Sequence, residues 1–192
     1  MPEQTHRVYL GEGVKADLPL NWVDEHLGIY SFVLIDKVKW VRAAAHALLA
    51  KIDQQLAGDE IDMILTPEAK AITLAYEIAV GMGFDEYVVA RKSVKAYMPN
   101  PVSVPVKSIT TRVPQQLFFD SSDVERLRGK RVLLIDDVVS TGATLGALFD
   151  FLESIDSQVV LTACVLTEGE ERDEYRGVPL LHLGHIPLVF AD

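Results

Sequence analysis

Two adjacent carboxylates, Asp136 and Asp137, stand between an apolar run and a turn of small residues. The run Val132 to Ile135 is typical of a central parallel strand buried on both faces, and we expect burial to stop at the carboxylates. The turn supplies hydroxyls and unobstructed backbone N–H groups from Ser140, Thr141, Gly142 and Thr144, just where a helix is predicted to begin near Ala143.

A phosphate at that turn would meet these donors and the positive end of the helix dipole. The carboxylates cannot share the phosphate, and they are better acceptors for sugar hydroxyls, directly or through a hydrated metal ion. The segment therefore predicts a sugar-phosphate site. The alternative is an ordinary strand-to-helix turn in which an aspartate caps the helix. A Walker A loop is disfavoured because it needs a lysine after its glycine-rich turn, and none follows Arg131 before the helix ends.

A second strand, loop and helix is predicted earlier in the chain. Ile61 to Leu65 has the composition of a short buried strand, and an apolar helical stretch follows over 68–81. The loop between them holds Thr66, Pro67, Glu68, Ala69, Lys70 and Ala71. Its lysine suits a phosphate on charge grounds. Local preference alone also explains a helix that begins with Pro67 and Glu68 in its first turn.

A third segment is basic. A short strand over 86–90 is followed by Arg91, Lys92 and Lys95, and then by a stretch that carries Pro99, Asn100, Pro101 and Pro105. Such a stretch is unfavourable for a helix. It is a plausible mobile cover for an anionic ligand, and the alternative is a solvated basic turn.

The acidic pair and its turn resemble the signature that binds phosphoribosyl pyrophosphate (PRPP) in the type I phosphoribosyltransferases. The resemblance implies that Ser140, Thr141, Gly142, Ala143 and Thr144 hold the 5′-phosphate, and that Asp136 and Asp137 hold the ribose 2′- and 3′-hydroxyls. It also implies that Thr66, Glu68, Ala69 and Lys70 receive the pyrophosphate, as in the Glu-Ala/Ser-x-Gly loops of adenine and xanthine enzymes. Arg91 and Lys92 would then begin a closing loop whose Lys95 acts in catalysis.

Two departures from the family pattern bear on the function. Lys70 and Ala71 replace the usual glycine of the second loop, and no acidic residue between Glu86 and Asp120 matches the loop glutamate of adenine enzymes. Hypoxanthine-guanine enzymes carry an aspartate at the position of Ser140, so its absence favours an adenine or xanthine type. The resemblance implies a glycosyltransferase that joins PRPP to a purine, with adenine as first choice. Alternatives are an orotate or xanthine enzyme, a PRPP-binding regulator without turnover, and an unrelated nucleotide-binding α/β protein.

The partners implied by the resemblance are PRPP and a nucleobase, with Mg²⁺ as cofactor. The metal would be bound through PRPP near Asp136 and Asp137 rather than directly by the protein, and the chain would form a homodimer. A net charge of −10 opposes general nucleic-acid binding. No apolar run approaches the roughly 18 residues of a spanning helix, and the first residues lack the apolar stretch of a signal peptide. We therefore expect a cytoplasmic protein without membrane contact.

These segments require a sheet that brings them to one edge. The chain has 192 residues, of which 49% are hydrophobic and 24% charged, as expected of one compact domain over 1–192. Further helices are predicted over 39–52 and 142–155, a strand over 158–166, and a hairpin near 102–119. This alternation predicts an α/β fold with a parallel sheet flanked by helices, and both loops then lie at the carboxyl ends of strands. The core would span about 39–170, with a small hood from about 20–32 and 172–190.

Overall fold

The computed structural model describes residues 4–106 and 115–191. Its elements in chain order are β1 Thr5–Gly11, β2 Val14–Trp22, β3 Leu27–Tyr30, α1 Val38–Leu56, β4 Met63–Pro67, α2 Ile72–Met82, β5 Val88–Ala90, β6 Val102–Val106, β7 Gln115–Phe119, α3 Ser121–Leu127, β8 Arg131–Val139, α4 Ala143–Ser154, β9 Gln158–Glu168, β10 Glu174–Tyr175, β11 Val178–Leu181, β12 Gly184–Ile186 and β13 Val189–Phe190.

The larger sheet has the strand order β10-β11-β9-β8-β4-β5, and β12 also pairs with β9. Strands β5, β4, β8, β9 and β11 run parallel, and β10 is antiparallel to β11. Successive side chains of a strand point to opposite faces of the sheet. Ile64 and Leu133 accordingly pack with α1 and α2 on one face, whereas Leu65 and Leu134 pack with α3 and α4 on the other. The predicted α/β architecture is confirmed.

A smaller antiparallel sheet has the order β1-β2-β3-β13. Its buried side chains, including Leu10, Leu18 and Tyr30, belong to the same apolar cluster as α1 and α2. The sequence predicts a hood from 20–32 and 172–190. The structure divides the second of these segments, because β10, β11 and β12 join the larger sheet and only β13 pairs with β3.

Strand β8 is longer than the predicted 131–135, because its pairing with β9 continues through Asp136 opposite Cys164 and on to Val139. The expectation that burial stops at the acidic pair is therefore wrong, since Asp137 is buried. Helix α2 begins at Ile72 rather than at residue 68, so Pro67 and Glu68 are not in its first turn.

The hairpin predicted near 102–119 is present as antiparallel β6 and β7, and residues 107–114 of that prediction lie outside the described residues. Helix α3 was not predicted. It begins with a capping box: the Asp120 carboxylate accepts the N–H of Asp123, and the Asp123 carboxylate accepts the N–H of Asp120. Over residues 4–106 and 115–191, none of the helices combines the length and apolar character that crossing a membrane requires.

Candidate functional site

The loops after β4 and β8 lie side by side, because these two strands are hydrogen-bonded neighbours in the larger sheet. Between them is an open, mostly polar cavity of about 310 Å³, lined by residues 67–70, 115–117 and 136–138 with Lys92, Val106 and Thr144. The cavity is at the carboxyl edge of the parallel strands, where open α/β sheets bind ligands. The structure thus brings together the two loops that the sequence singled out.

Burial and mutual repulsion set the electrostatics of the acidic pair. The Asp137 N–H donates to Oδ1 of Asp136 at 2.8 Å. Burial in the sheet, and then the neighbouring charge of Asp137, raise the pKa of Asp136 well above its usual range. Lys70 opposes this rise, and its Nζ lies 3.5 Å from Oδ2 of Asp137. That oxygen accepts no hydrogen bond among the described residues, so a buried acceptor is available to a ligand.

The turn after β8 places a left-handed glycine directly before α4. Gly142 precedes α4 with a left-handed φ of 77°, which favours glycine. Its carbonyl accepts the N–H of Gly146 at 2.8 Å. A second cavity of about 240 Å³ adjoins the first and is lined by residues 138–145 with Val106, Gln115 and Asp136. A ligand anion in this cavity would face the first N–H groups of α4.

Glu68 contacts three residues of the basic segment that follows β5. Its carboxylate accepts the Lys92 N–H at 2.7 Å and lies 3.3 Å from Nζ of Lys95 and 3.7 Å from Nη1 of Arg91. Burial by itself raises the pKa of Glu68, but the Lys92 N–H and the two cations outweigh it and leave the pKa below its usual value. A charged Glu68 therefore ties the start of the basic segment to the loop after β4.

The predicted site residues divide into two groups. Those that line the two cavities are Glu68, Ala69, Lys70, Lys92, Asp136, Asp137, Ser140, Thr141, Gly142, Ala143 and Thr144. Three others do not line them. Thr66 is fully buried in β4, and Arg91 and Lys95 point to Glu68.

A third cavity, of about 290 Å³, lies between the small sheet and the acidic pair. It is lined by residues 29–33, Lys70, Asp137, Val138, Ser140, Glu168 and Ile186. The prediction of a hood near 20–32 anticipates part of this lining. It did not include Val138 and Glu168, although each follows a predicted buried strand at the same sheet edge, and this is the signal that could have found them.

The acidic pair fits a hydrated magnesium ion carried by a substrate. Mg²⁺ is usually bound by one or two carboxylates together with substrate phosphates and waters. Oδ2 of Asp137 is buried and accepts no hydrogen bond among the described residues, so it is available to a hydrated ion beside Lys70. Over the described part of the chain, no group of three or more His, Cys, Asp or Glu residues is placed to hold a metal ion by itself.

Comparison with known proteins yields three findings. The family model described as phosphoribosyl transferase domain matches residues 35–180. A hypoxanthine/guanine phosphoribosyltransferase of Methanococcus voltae is 34% identical over 125 residues, which cover 65% of this chain and 62% of that protein. An adenine phosphoribosyltransferase of Thermoanaerobacter pseudethanolicus is 28% identical over 138 residues, covering 66% of this chain and 72% of that protein. The matched part is about three fifths of the length of the first of these relatives.

Among solved structures, the adenine phosphoribosyltransferase of Rhodothermus marinus superposes with a TM-score of 0.63 at 19% identity, covering 95% of this chain and 93% of that one. That of Giardia lamblia, in complex with 9-deazaadenine, superposes with a TM-score of 0.61 at 15% identity, covering 96% and 93%. At these identities the superpositions show a shared fold and nothing finer.

Proposed function

The chain belongs to the phosphoribosyl transferase domain family and has the type I phosphoribosyltransferase fold, and from this premise we propose that it transfers the 5-phosphoribosyl group of PRPP to a purine base. The observation that supports this most is the meeting of three features at one sheet edge. These are the acidic pair of β8, the left-handed turn at Gly142 and the Lys70 loop after β4.

Each part of PRPP has a complementary partner in this arrangement. The 5′-phosphate would accept hydrogen bonds from the N–H groups of residues 141–144 at the start of α4, and the ribose hydroxyls would donate hydrogen bonds to Asp136 and Asp137. The pyrophosphate would lie beside Lys70 and the backbone of Ala69. Lys92 lines the same cavity, so a shift of the basic segment would add its charge and those of Arg91 and Lys95. Magnesium bound to PRPP would neutralise part of the pyrophosphate charge.

The reaction replaces one bond at C1 of the ribose. A ring nitrogen of the base forms a bond to C1 from one face of the ribose, while the bond between C1 and the pyrophosphate oxygen breaks on the opposite face. The electron pair of the broken bond leaves with pyrophosphate. The ring nitrogen then releases its proton to solvent water. The side chains contribute by positioning PRPP and by stabilising charge, because Lys70 and the basic segment meet the negative charge that develops on the leaving group.

We place the base in the cavity between the small sheet and the acidic pair, beside Val138 and Ile186. Adenine is the first choice, because Ser140 stands where the hypoxanthine-guanine enzymes have an aspartate. Hypoxanthine or guanine is the second candidate, favoured by the relative from Methanococcus voltae, which is named for those bases. We further propose that residues 1–192 act as one domain and that the chain is a homodimer.

The test is release of pyrophosphate from PRPP and Mg²⁺, assayed with adenine, hypoxanthine, guanine, xanthine, orotate and uracil. We expect turnover with adenine above the other bases. Turnover only with hypoxanthine and guanine would select the second candidate. PRPP binding by calorimetry without turnover on any base would contradict the enzymatic proposal and favour a PRPP-binding regulator.

A further inference from the structure

The short hairpin of β10 and β11 lies against the start of α4. Tyr175 pairs with Val178, so the loop between the strands has only two residues, Arg176 and Gly177. Both have a positive φ, 52° and 76°, which is the backbone that a tight two-residue hairpin requires. The hairpin therefore presents Tyr175 at a fixed position next to α4.

The Tyr175 ring occupies the space that two side chains would otherwise need. An ideal Cβ on Gly142 would lie 2.5 Å from Cε2 of Tyr175, and one on Gly146 would lie 2.8 Å from its hydroxyl oxygen. Glycine inside a helix costs up to about 1 kcal/mol relative to alanine. Gly146 has no positive φ that would favour glycine, and the close approach of the Tyr175 hydroxyl is what leaves no room for a side chain at this position.

Two neighbouring contacts hold the ring in place. The Tyr175 ring meets the Phe149 ring edge-on at a centroid distance of 5.4 Å. The Arg176 guanidinium lies 5.7 Å from the centre of the Tyr175 ring and 5.9 Å from that of Phe149, and its Nη1 donates to Oδ1 of Asp150 at 2.5 Å. Because Phe149 and Asp150 both belong to α4, the hairpin and this helix form one packed unit.

We propose that Tyr175 is a positioning residue for the turn that binds the 5′-phosphate, which rests on the function proposed above. Gly142 has no side chain, so its backbone would sample several conformations without a neighbour. The ring restricts Gly142 from the side and keeps the following N–H groups directed into the cavity. Less conformational entropy is then lost when the phosphate binds, and the gain appears as affinity.

The sharpest test joins Gly146→Ala with Tyr175→Phe. The Cβ of Gly146→Ala conflicts with the Tyr175 hydroxyl, and we expect it to displace the ring and weaken PRPP binding about tenfold in calorimetry. Tyr175→Phe removes the conflicting oxygen, after which the nearest ring atom is 3.9 Å from that Cβ. The double variant should therefore regain the wild-type Kd within about twofold. Glu174→Ala, an exposed change on the same hairpin, is the matched control.

A second variant covers the case in which Gly146→Ala does not fold. Tyr175→Ala should weaken PRPP binding about tenfold and speed amide hydrogen exchange over residues 141–146 in the absence of ligand. In turnover, both variants should raise the KM for PRPP while kcat changes less than twofold, because the turn contacts the phosphate equally before and during the reaction. A purely structural role would instead lower the fraction of active protein and leave KM unchanged.

The outcomes separate this inference from the proposed function. If the wild-type protein does not bind PRPP, the function itself fails. If the wild type binds PRPP and the Kd is unchanged by Gly146→Ala or by Tyr175→Ala, Tyr175 does not position the turn. If Gly146→Ala weakens binding and Tyr175→Phe does not restore it, the effect does not pass through Tyr175, and the inference is again overturned.

Discussion

Asp136→Asn should make the protein more stable and a poorer binder of PRPP. In the folded protein, burial and the charge of Asp137 both oppose a charge on Asp136. The substitution keeps a side-chain oxygen to accept the Asp137 N–H, and it adds an N–H that can donate to the Asp137 carboxylate. The destabilising charge is removed and the shape of the side chain is kept.

The magnitude follows from the cost of an incompletely compensated buried group, about 1–3 kcal/mol. The free energy of unfolding should rise by that amount near pH 8. For a chain of this length, each kcal/mol shifts Tm by about 2–4 °C, so an increase of roughly 2–12 °C is expected. Loss of one charged acceptor for a ribose hydroxyl costs about 1.5–3 kcal/mol, which corresponds to a PRPP Kd about 10- to 100-fold higher.

The gain in stability should depend on pH in a definite direction. The pKa of Asp136 is raised in the folded state, so its favourable contribution is complete below the unfolded value of about 3.9 and is lost as pH rises through the folded value. The difference between Asp136→Asn and wild type should therefore be small near pH 4 and should grow as pH increases.

Urea unfolding from pH 4 to 8, with calorimetry of PRPP binding at pH 8, measures both effects. Asp53→Asn, an exposed change in α1, is the control and should alter neither. A folded Asp136→Asn protein that is less stable than wild type at pH 8 would refute the account of the buried charge. Unchanged PRPP affinity in the stabilised variant would refute ribose binding at the acidic pair.

Three further predictions concern the loops around the pair. Glu68→Gln should lower the free energy of unfolding by about 1–2 kcal/mol at pH 7, because it weakens the contacts of Glu68 with the basic segment. Since the pKa of Glu68 is lowered in the folded protein, the difference in stability between the variant and the wild type should disappear in urea unfolding as pH falls below about 4. Gly142→Val should weaken the binding of both PRPP and the nucleotide product in calorimetry, since the new side chain meets the Tyr175 ring. Gly83→Val is the matched control: Gly83 has nearly the same φ, 76°, but a Cβ there would have no neighbour within 4 Å, so both affinities should be unchanged. Lys95→Ala should lower the single-turnover rate by about 10²–10³-fold and weaken PRPP binding less, with Lys51→Ala as control; weaker PRPP binding with an unchanged single-turnover rate would place Lys95 in ground-state binding alone.

The sequence was sufficient for the order of elements and for the two loops that meet at the sheet edge. Local composition identifies β4, β8 and their helices, and the parallel arrangement then requires the loops to be neighbours. It was not sufficient for the length of β8. A carboxylate predicts the end of burial, but the continued pairing of Asp136 and Val139 with β9 extends the strand and buries Asp137.

Glu68 shows where a resemblance in sequence is insufficient to assign contacts in the site. The resemblance implies that Glu68, with Thr66, Ala69 and Lys70, receives the pyrophosphate, although a carboxylate repels an anion. The structure places it as the partner of Arg91 and Lys95. Because opposite charges in a partly buried site pair with each other, the sequence predicts which residues lie at the site but not which of them face a ligand.

The contact between Tyr175 and α4 cannot be predicted from the sequence around either residue. The positive φ of Gly142 is a local requirement, and the turn chemistry of a strand followed by a helix predicts it. Gly146 lies inside α4, where alanine would favour the helix, so its presence indicates a close neighbour without identifying it. The neighbour lies on a hairpin at the far edge of the sheet, and β8, β9 and β11 bring it there by pairing in register. The space beside the turn at Gly142 is therefore set by the whole sheet, which is why adding a methyl group at Gly146 while removing the Tyr175 hydroxyl tests the fold and the candidate site together.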